Sequence, residues 1–264
     1  MGAQTAAAKP TLWHIPISHY SEKARWALEH KGIDHVRRAP LPGSHIPIAI
    51  WMTRGQQITF PILRVDGRTI GDSTAIIAAL ESIEPEPPLY PVDAEERARA
   101  IELEDYFDEQ LGPYTRFLAF HELLKEPEML TDIASRLVPR ALGRMKPLVG
   151  AYARTFTSIR WRARDDDAAG AAKGKIVAAL DRLESELEKG EGEGEGEGEY
   201  LVGDRFSVAD LTAASLFYPL VAPAEGPTPP DTPRPPAFDA FRDELSDRPG
   251  YRWVEETFRR HRHR

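Results

Sequence analysis

A proline-rich segment, EPEPPLYP at residues 84–91, divides this 264-residue sequence into two parts with different periodicities. Prolines can extend neither a helix nor a sheet, so the segment is predicted to be a linker. Residues 11–83 alternate strand and helix signals, whereas residues 92–264 carry almost only helical patterns. The chain is therefore predicted to contain a small α/β domain followed by an all-α domain.

The α/β part is marked by one hairpin and two helices. The stretch FPILRVDGRTI joins two apolar runs through Asp66-Gly67, a dipeptide that tolerates the positive φ of a tight turn. Upstream, a strand is predicted within TLWHIPI, a helix over residues 21–31 and a second strand within IDHVRRA. An irregular stretch precedes the hairpin, and a helix with Asp72 or Ser73 as its N-cap follows it.

Prolines, glycines and one repeat are predicted to interrupt the helices of the second part. Breaks are predicted at Gly112-Pro113, Pro139 and Pro147, and a loop is predicted over residues 157–174. The repeat GEGEGEGEGE at residues 190–199 is charged and of low complexity, and is predicted to form an exposed, flexible loop.

The strongest local signal of the helical part is FSVADLTAASLF. Ser207 and Asp210 have the three-residue spacing of a capping box, and Phe206 and Leu211 have that of a hydrophobic staple. These pairs predict a helix that starts directly after Ser207.

The composition excludes several kinds of chemistry. No cysteine occurs, which rules out disulfides, thiolate metal sites and catalysis by a protein thiol, and the histidine spacing suits no metal. The net charge of −8 argues against a general nucleic-acid partner, because phosphate contacts need clustered Lys and Arg. The first residues, MGAQTAAAKP, are not expected to be a secretory leader, and no apolar run approaches the ~18 residues of a membrane span. A cytoplasmic protein without a membrane partner is expected.

Four segments, in this order along the chain, resemble the soluble glutathione transferase family. They are SHYSEKARWALEHKG, ITFPILRVDGRTIGDSTAI, FSVADLTAASLF and FDAFRDELSDRPGYRWVEETF. The resemblance implies a thioredoxin-like N-terminal domain over residues 11–83 and a helical-bundle domain over residues 92–264. It points to the serine/cysteine type, because TLWHIPI offers no tyrosine for the tyrosine-type members.

Two serines open the first helix. In thioredoxin-like redox proteins this position holds Cys-x-x-Cys, whereas here it reads Ser18-His19-Tyr20-Ser21. A helix N-terminus favours an anion, and a hydroxyl there can donate a hydrogen bond to a thiolate and lower its pKa. The resemblance implies that glutathione brings the thiol as a cosubstrate, with no permanently bound cofactor. Ser18 aligns best with the activating residue and Ser21 is the second choice, while ordinary N-capping is the alternative.

The resemblance implies further contacts to the tripeptide. Pro61 aligns with the family's cis-proline, which presents the backbone of Phe60 to the cysteinyl part; a trans-proline at an edge strand is the alternative. The bulky Phe60 is a departure, because the family usually has a small aliphatic residue there. Asp72 and Ser73 match the pair that holds the γ-glutamyl group, although both also suit N-capping, and Gln57 is a candidate contact for the glycyl end.

The implied function is conjugation of a thiol tripeptide to an apolar electrophile, as in detoxification, by a homodimer. The aromatic stripe of Tyr106, Tyr114, Phe117 and Phe120 is predicted to pack in the core. As the alternative, the resemblance implies that Phe117 or Phe120 lines the electrophile pocket, because the equivalent helix borders that pocket in the family. Two other hypotheses stay open. One is a binding or scaffold protein of the same fold without turnover, and the other is an enzyme that uses a different low-molecular-weight thiol.

Overall fold

The structure, a computed structural model, describes residues 8–161, 163–190, 199–229 and 232–262. The chain divides into two units, Met1–Leu89 and Tyr90–Arg264. The first unit is a thioredoxin-like α/β domain with a small mixed sheet, and the second is helical. The predicted fold class is therefore confirmed.

The hairpin organises the sheet of the first unit. The strands are β1 (Thr11–Trp13), β2 (Val36–Arg38), β3 (Ile62–Val65) and β4 (Arg68–Gly71), in the order β2-β1-β3-β4. β1 pairs parallel with β2 and antiparallel with β3. Asp66 and Gly67 have φ values of 48° and 73°, the positive values that a two-residue turn between twisted strands requires. The predicted hairpin and both predicted strands are confirmed.

Three helices complete the first unit: α1 (His19–His30), α2 (His45–Thr53) and α3 (Ser73–Ile83). α1 begins two residues before its predicted start, because Ser18 is its N-cap. It ends at His30, and the φ of 62° at Gly32 lets the N–H groups of Gly32 and Ile33 bond the last carbonyls of the helix. Asp72 is the N-cap of α3.

α2 lies within the stretch that was predicted to be irregular, so that prediction was wrong. Its sequence, HIPIAIWMT, is apolar on every side and shows no amphipathic period. Pro47 occupies the first turn, where a missing N–H breaks no helical hydrogen bond. Ala49 packs against Phe60 and Ile62, which makes α2 part of the core of this unit.

Nine helices form the described part of the second unit. They are α4 (Ala94–Gln110), α5 (Gly112–Lys125), α6 (Pro127–Arg136), α7 (Arg140–Gly143), α8 (Lys146–Trp161), α9 (Asp166–Gly190), α10 (Val208–Val221), α11 (Pro236–Leu245) and α12 (Pro249–His261). The predicted breaks coincide with helix starts, since α5 begins at Gly112-Pro113, α7 follows Pro139 and α8 carries Pro147 in its first turn.

The loop predicted over residues 157–174 is largely helical instead. α8 continues to Trp161, and α9 already starts at Asp166. The Asp165 carboxylate accepts the Ala168 N–H at 2.9 Å, and the alanines that follow offset the low helix propensity of two glycines. Of the predicted Glu-Gly loop at 190–199, Gly190 ends α9 and residues 191–198 lie outside the described residues.

α10 is the central helix of the second unit, since it is almost wholly buried and packs against α4, α5 and α12. The predicted capping box is confirmed, because the Ser207 N–H and hydroxyl both donate to Asp210 Oδ2 at 2.8 Å. The other Asp210 oxygen accepts the Leu201 N–H at 2.8 Å. Burial raises the pKa of Asp210 to about 6, although these hydrogen bonds act to lower it.

Neither a membrane-crossing helix nor a metal-binding cluster occurs within the described ranges. No helix there is long and apolar enough to cross a membrane. No group of three or more His, Asp or Glu side chains in the same ranges is arranged to hold a metal ion. Three histidines of the first unit, His14, His19 and His45, are buried. His14 contacts Arg25, and the His45 ring lies 6.2 Å from that of Phe60.

Candidate functional site

Strand pairing brings the predicted thiol-binding residues to one end of the sheet, where three strands begin or end. Trp13 at the end of β1 lies opposite Ile62 at the start of β3, which lies opposite Gly71 at the end of β4. The segments that follow β1, precede β3 and follow β4 therefore leave the sheet side by side. These segments carry Ser18, Phe60-Pro61 and Asp72-Ser73.

Ser18 is partly exposed at the N-terminus of α1. Its Oγ accepts the Ser21 N–H at 3.3 Å, and its carbonyl accepts the Glu22 N–H at 2.8 Å. Among the described residues, no group accepts the Ser18 hydroxyl proton. A hydroxyl donor is thus left over at the positive end of a 12-residue helix, a combination that suits an anionic ligand.

Ser21 has the opposite environment. Its side chain is fully buried, and its Oγ accepts the Ile15 N–H at 3.1 Å. That bond holds the loop between β1 and α1 against the helix. A fully buried hydroxyl cannot reach a ligand that arrives from solvent, so Ser21 shapes the loop that presents Ser18.

A buried polar cluster supports the same loop. Arg25 donates to Glu22 at 2.7 Å, to His14 Nδ1 at 2.7 Å and to the Pro16 carbonyl at 3.1 Å. Burial, helped by the charge of Arg25, lowers the pKa of His14 to about 4, so His14 is neutral and can accept this bond. The partners of Arg25 could not be identified from the sequence, since the Glu22–Arg25 spacing indicates a pair on one helix face and not the burial of that pair.

Asp72 and Ser73 keep unused polar atoms at the start of α3. Asp72 Oδ1 accepts the N–H groups of Thr74 and Ala75 at 2.9 and 3.2 Å, and Asp72 is exposed. Within the described part of the chain, neither Asp72 Oδ2 nor the buried Ser73 hydroxyl makes a hydrogen bond. Asp72 also has a φ of 76° and a ψ of 137°, a strained conformation for a non-glycine residue and one that often marks a functional position.

Lys23 links the two helix starts and was missed in the sequence. It is fully buried, and its Nζ donates to Thr74 Oγ1 at 2.9 Å. The bond ties the second turn of α1 to the first turn of α3. The N-termini of the two helices, and with them Ser18 and Asp72, are thereby held in one arrangement.

Phe60 and Gln57 lie at the same end of the sheet as Asp72. The Phe60-Pro61 peptide is cis, and the Phe60 ring is buried in a cluster with Ala49 and Ile62. The bulky ring is therefore part of the core next to α2. The Gln57 side chain lies directly over Gly71, where a methyl group would be 2.5 Å from Gln57 Cγ, so Gln57 flanks the start of α3.

Phe117 and Phe120 are half-buried on α5 and stack on different partners. Phe117 stacks on His121 at 5.9 Å between ring centroids, and Phe120 stacks on Trp161 at 5.7 Å. The expected core stripe of aromatic side chains was wrong for these positions. The buried side of α4 and α5 instead carries Leu103, Phe107, Leu111 and Leu118.

Two family models match the chain in the order of its two units. Residues 12–88 match the glutathione S-transferase N-terminal domain, and residues 151–244 match the glutathione S-transferase C-terminal domain. Together these segments cover well over half of the sequence.

Known proteins show the same likeness. A maleylacetoacetate isomerase of Rattus norvegicus is 31% identical over 134 residues, so the match spans 47% of this chain and only 58% of the relative. A glutathione transferase of Phanerochaete chrysosporium shares the fold at 18% identity, with a TM-score of 0.64 over 96% of this chain and 97% of that one.

A theta class glutathione S-transferase of Xanthomonas axonopodis pv. citri, solved with glutathione bound, is 22% identical with a TM-score of 0.56, over 93% and 96% of the two chains. At such identities the solved structures establish the fold alone. Because both domain models match in order on this fold, the chain belongs to the glutathione S-transferase family of enzymes.

Proposed function

We propose that the chain is a glutathione-dependent transferase of the serine type, and that Ser18 activates the thiol. The observation that carries the proposal is the unused Ser18 hydroxyl, partly exposed at the N-terminus of α1. In this scheme Ser18 donates to the glutathione thiolate, and the partial positive charge of the helix end stabilises the same anion.

Asp72, Ser73, Phe60 and Gln57 bind the rest of the tripeptide in this proposal. The free Oδ2 of Asp72 accepts from the α-ammonium of the γ-glutamyl group, and the Ser73 hydroxyl donates to its carboxylate. The Phe60 backbone pairs with the cysteinyl unit, which requires only main-chain atoms and is compatible with a ring buried in the core. Gln57, over Gly71, contacts the glycyl end.

Catalysis follows from lowering the thiol pKa and from positioning the thiolate. A hydrogen bond to a charged group contributes about 1.5–3 kcal/mol, which corresponds to roughly one to two pKa units. A thiol with an ordinary pKa near 8.5 would then have a pKa of about 6.5–7.5, so that roughly a quarter to three quarters of it is ionised at pH 7. In this proposal the thiolate attacks an apolar electrophile, and no protein thiol takes part. The half-buried Phe117 and Phe120 of α5 are the aromatic side chains proposed to contact such a compound.

The proposal is tested by the ultraviolet absorbance of the bound thiolate as a function of pH. In Ser18→Ala, the pKa of bound glutathione is expected to rise by about one to two units, because the donated hydrogen bond is lost. Ser207→Ala is the matched control, since it removes another serine N-cap far along the chain and should leave the thiol pKa unchanged. An unaltered thiol pKa in Ser18→Ala would remove Ser18 from the mechanism.

Thermal shift separates the enzyme from the two remaining hypotheses. Glutathione should raise the melting temperature, and cysteinylglycine, which lacks the γ-glutamyl group, should do so far less. Stabilisation by another low-molecular-weight thiol alone would identify a different cosubstrate. Stabilisation without turnover of any electrophile would favour a binding or scaffold protein.

A second candidate activity is glutathione-dependent isomerisation, because the curated relatives in Rattus norvegicus and Mus musculus are maleylacetoacetate isomerases. Both reactions start from the same thiolate. A transferase forms a C–S bond that persists and consumes the thiol, whereas an isomerase adds the thiolate to a double bond and expels it again. Free-thiol counts after incubation with maleylacetoacetate, and with an aromatic chloride as electrophile, distinguish the two.

The assembly and location are proposals on the same basis. We infer a cytoplasmic homodimer that acts in detoxification, as the family resemblance implies. Light scattering of the full chain at several concentrations tests the dimer, and a monomer mass at all of them would contradict it.

A further inference from the structure

α8 buries small residues and exposes large apolar ones, whereas a surface helix usually buries its large apolar residues. Its buried residues are small, namely Gly150, Ala153 and Thr157. A methyl group on Gly150 would lie 2.3 Å from Thr131 Oγ1 of α6, so the two helices approach each other closely there. This close approach fixes which side of α8 faces the protein and which side faces solvent.

The outer side of α8 carries large apolar side chains at helical spacing. Leu148, Tyr152 and Ile159 are 62%, 48% and 76% exposed, and Met145, just before the helix, is 47% exposed. Their spacing places all four on one stripe about 20 Å long. Single exposed apolar residues are ordinary, but four large ones aligned over this length mark an interaction surface.

The same stretch of chain is strongly basic. Residues 133–164 contain eight Arg and Lys and no Asp or Glu, in a chain whose net charge is −8. Arg140 and Arg144 are exposed, and neither forms a salt bridge with any residue that the structure describes. By contrast, Arg182 and Arg248 of the same unit lie 3.0 and 2.6 Å from carboxylates.

We propose that this surface, the α7–α8 face formed by Arg140, Arg144, Met145, Leu148, Tyr152 and Ile159, docks on an anionic phospholipid bilayer. An interfacial helix combines an aliphatic stripe, which enters the boundary of the acyl chains, with Arg or Lys that meet the headgroups. Each basic residue near an anionic leaflet raises the partition coefficient about fivefold. The α7–α8 face supplies both parts.

Other occupants fit the α7–α8 face less well. A second copy of this chain would bring the same patch against itself, so arginines would meet arginines. Nucleic acid would pair with the arginines but would leave the aliphatic stripe without an apolar partner. An acidic protein remains and is distinguished by the test. The attachment is to a surface, so it departs from the expectation of no membrane partner, which rested on the lack of a spanning segment.

The test is flotation of the full chain with lipid vesicles. The protein should float with an equal mixture of phosphatidylglycerol and phosphatidylcholine and not with phosphatidylcholine alone. Binding should weaken as added salt shortens the screening length. Flotation with both kinds of vesicle equally, or with neither, would overturn the proposal.

Paired variants assign the two contributions. Arg140→Gln/Arg144→Gln should reduce binding to the mixed vesicles about 30-fold. Its matched control, Arg64→Gln/Arg68→Gln, makes the same charge change at exposed residues of the first unit and should leave binding unaltered. Equal losses in both pairs would mean that net charge alone acts, and would contradict a specific face.

The apolar stripe is tested in the same assay. Leu148→Ser/Ile159→Ser should lose at least about tenfold in vesicle binding. Val92→Ser/Ile101→Ser, which removes two exposed apolar residues elsewhere in the second unit, should lose little. All variants should keep the thermal shift with glutathione, which shows that they are folded and makes the result independent of the thiol site. Retention on immobilised polyglutamate without vesicle binding would assign the face to an acidic protein and reject the lipid.

Discussion

Two described helices of this protein begin with a serine whose side chain caps the helix, and the two serines have different surroundings. Ser207 at the start of α10 is buried, and its hydroxyl both accepts from Ala209 and donates to Asp210. Ser18 at the start of α1 is partly exposed, accepts one bond of 3.3 Å and donates to no described residue. The same residue type thus closes one helix end and leaves the other open to a ligand.

The difference shows how a capping residue can be either structural or functional. A helix end whose donors and acceptors are all used inside the protein contributes to stability. A helix end that keeps a donor facing solvent contributes less to stability and can stabilise an incoming anion. The hydrogen-bond inventory of the cap, and not the residue type, decides between the two.

The largest expected effect on the free energy of unfolding is at the start of α10, where the cap has all its hydrogen bonds inside the protein. Asp210→Ala should lower the free energy of unfolding by about 3–5 kcal/mol, because it leaves the buried N–H groups of Ser207 and Leu201 without acceptors. Urea unfolding measures the change. Asp72→Ala is the matched control, since Asp72 caps α3 from an exposed position and should cost only about 1 kcal/mol. A larger loss in Asp72→Ala would contradict the distinction between closed and open ends.

The next largest effect is on the pH dependence of stability, which should have opposite signs for His14 beside α1 and Asp210 at the start of α10. The folded-state pKa of His14, beside the α1 loop, is about 4, below its ordinary 6.5, so the unfolded chain binds the proton first. Its contribution should therefore fall by about 2–3 kcal/mol as pH drops from 6.5 to 4. The folded-state pKa of Asp210 is about 6, above its ordinary 3.8, so its contribution should fall by a similar amount as pH rises from 4 to 6.

Urea unfolding between pH 4 and 8 measures both contributions, with His14→Gln and Asp210→Asn as the variants. Between pH 4 and 6 the two contributions oppose each other, so the stability of His14→Gln should fall more steeply with rising pH than that of wild type, and the stability of Asp210→Asn should rise more steeply. Slopes of the same sign for the two residues would show that one of the two environments is wrongly assigned.

The smallest expected effect concerns the serines themselves. Ser207→Ala should cost about 1–2 kcal/mol of unfolding free energy, and Ser18→Ala less than about 1 kcal/mol, because the Ser18 bond is long and partly solvated. Saturating glutathione should stabilise wild type and Ser207→Ala equally and stabilise Ser18→Ala less. Equal costs without ligand would mean that the α1 cap is as closed as that of α10.

Local chemistry made several elements predictable from the sequence. The Asp66-Gly67 turn, the Gly32 helix end and the Ser207 capping box depend on neighbours within a few residues, so their patterns are legible in the sequence. α2 was missed because an all-apolar helix has no period, and the start of α9 was missed because glycines and aspartates resemble a loop.

The candidate site divides in the same way. Ser18, Asp72 and Ser73 stand at helix starts, so sequence reasoning could propose them, and Pro61 followed from the family resemblance. The supporting residues His14, Lys23 and Glu22 could not be proposed, because their burial depends on which helix faces which loop. The resemblance ranked Ser18 above Ser21, and the burial of the Ser21 side chain is a separate argument for the same order.

The order of residues alone determined that this protein has an α/β part and a helical part, with helices that begin near the Ser18–Ser21 pair, at Asp72 or Ser73, and after Ser207. Those features are encoded in side chains that bond their own backbone a few residues away. Only the tertiary structure decided which of these ends is sealed, that His14 is neutral, and that α8 turns its small residues inward and its large ones outward. Such properties depend on burial, and burial is set by contacts between segments that are distant in the chain.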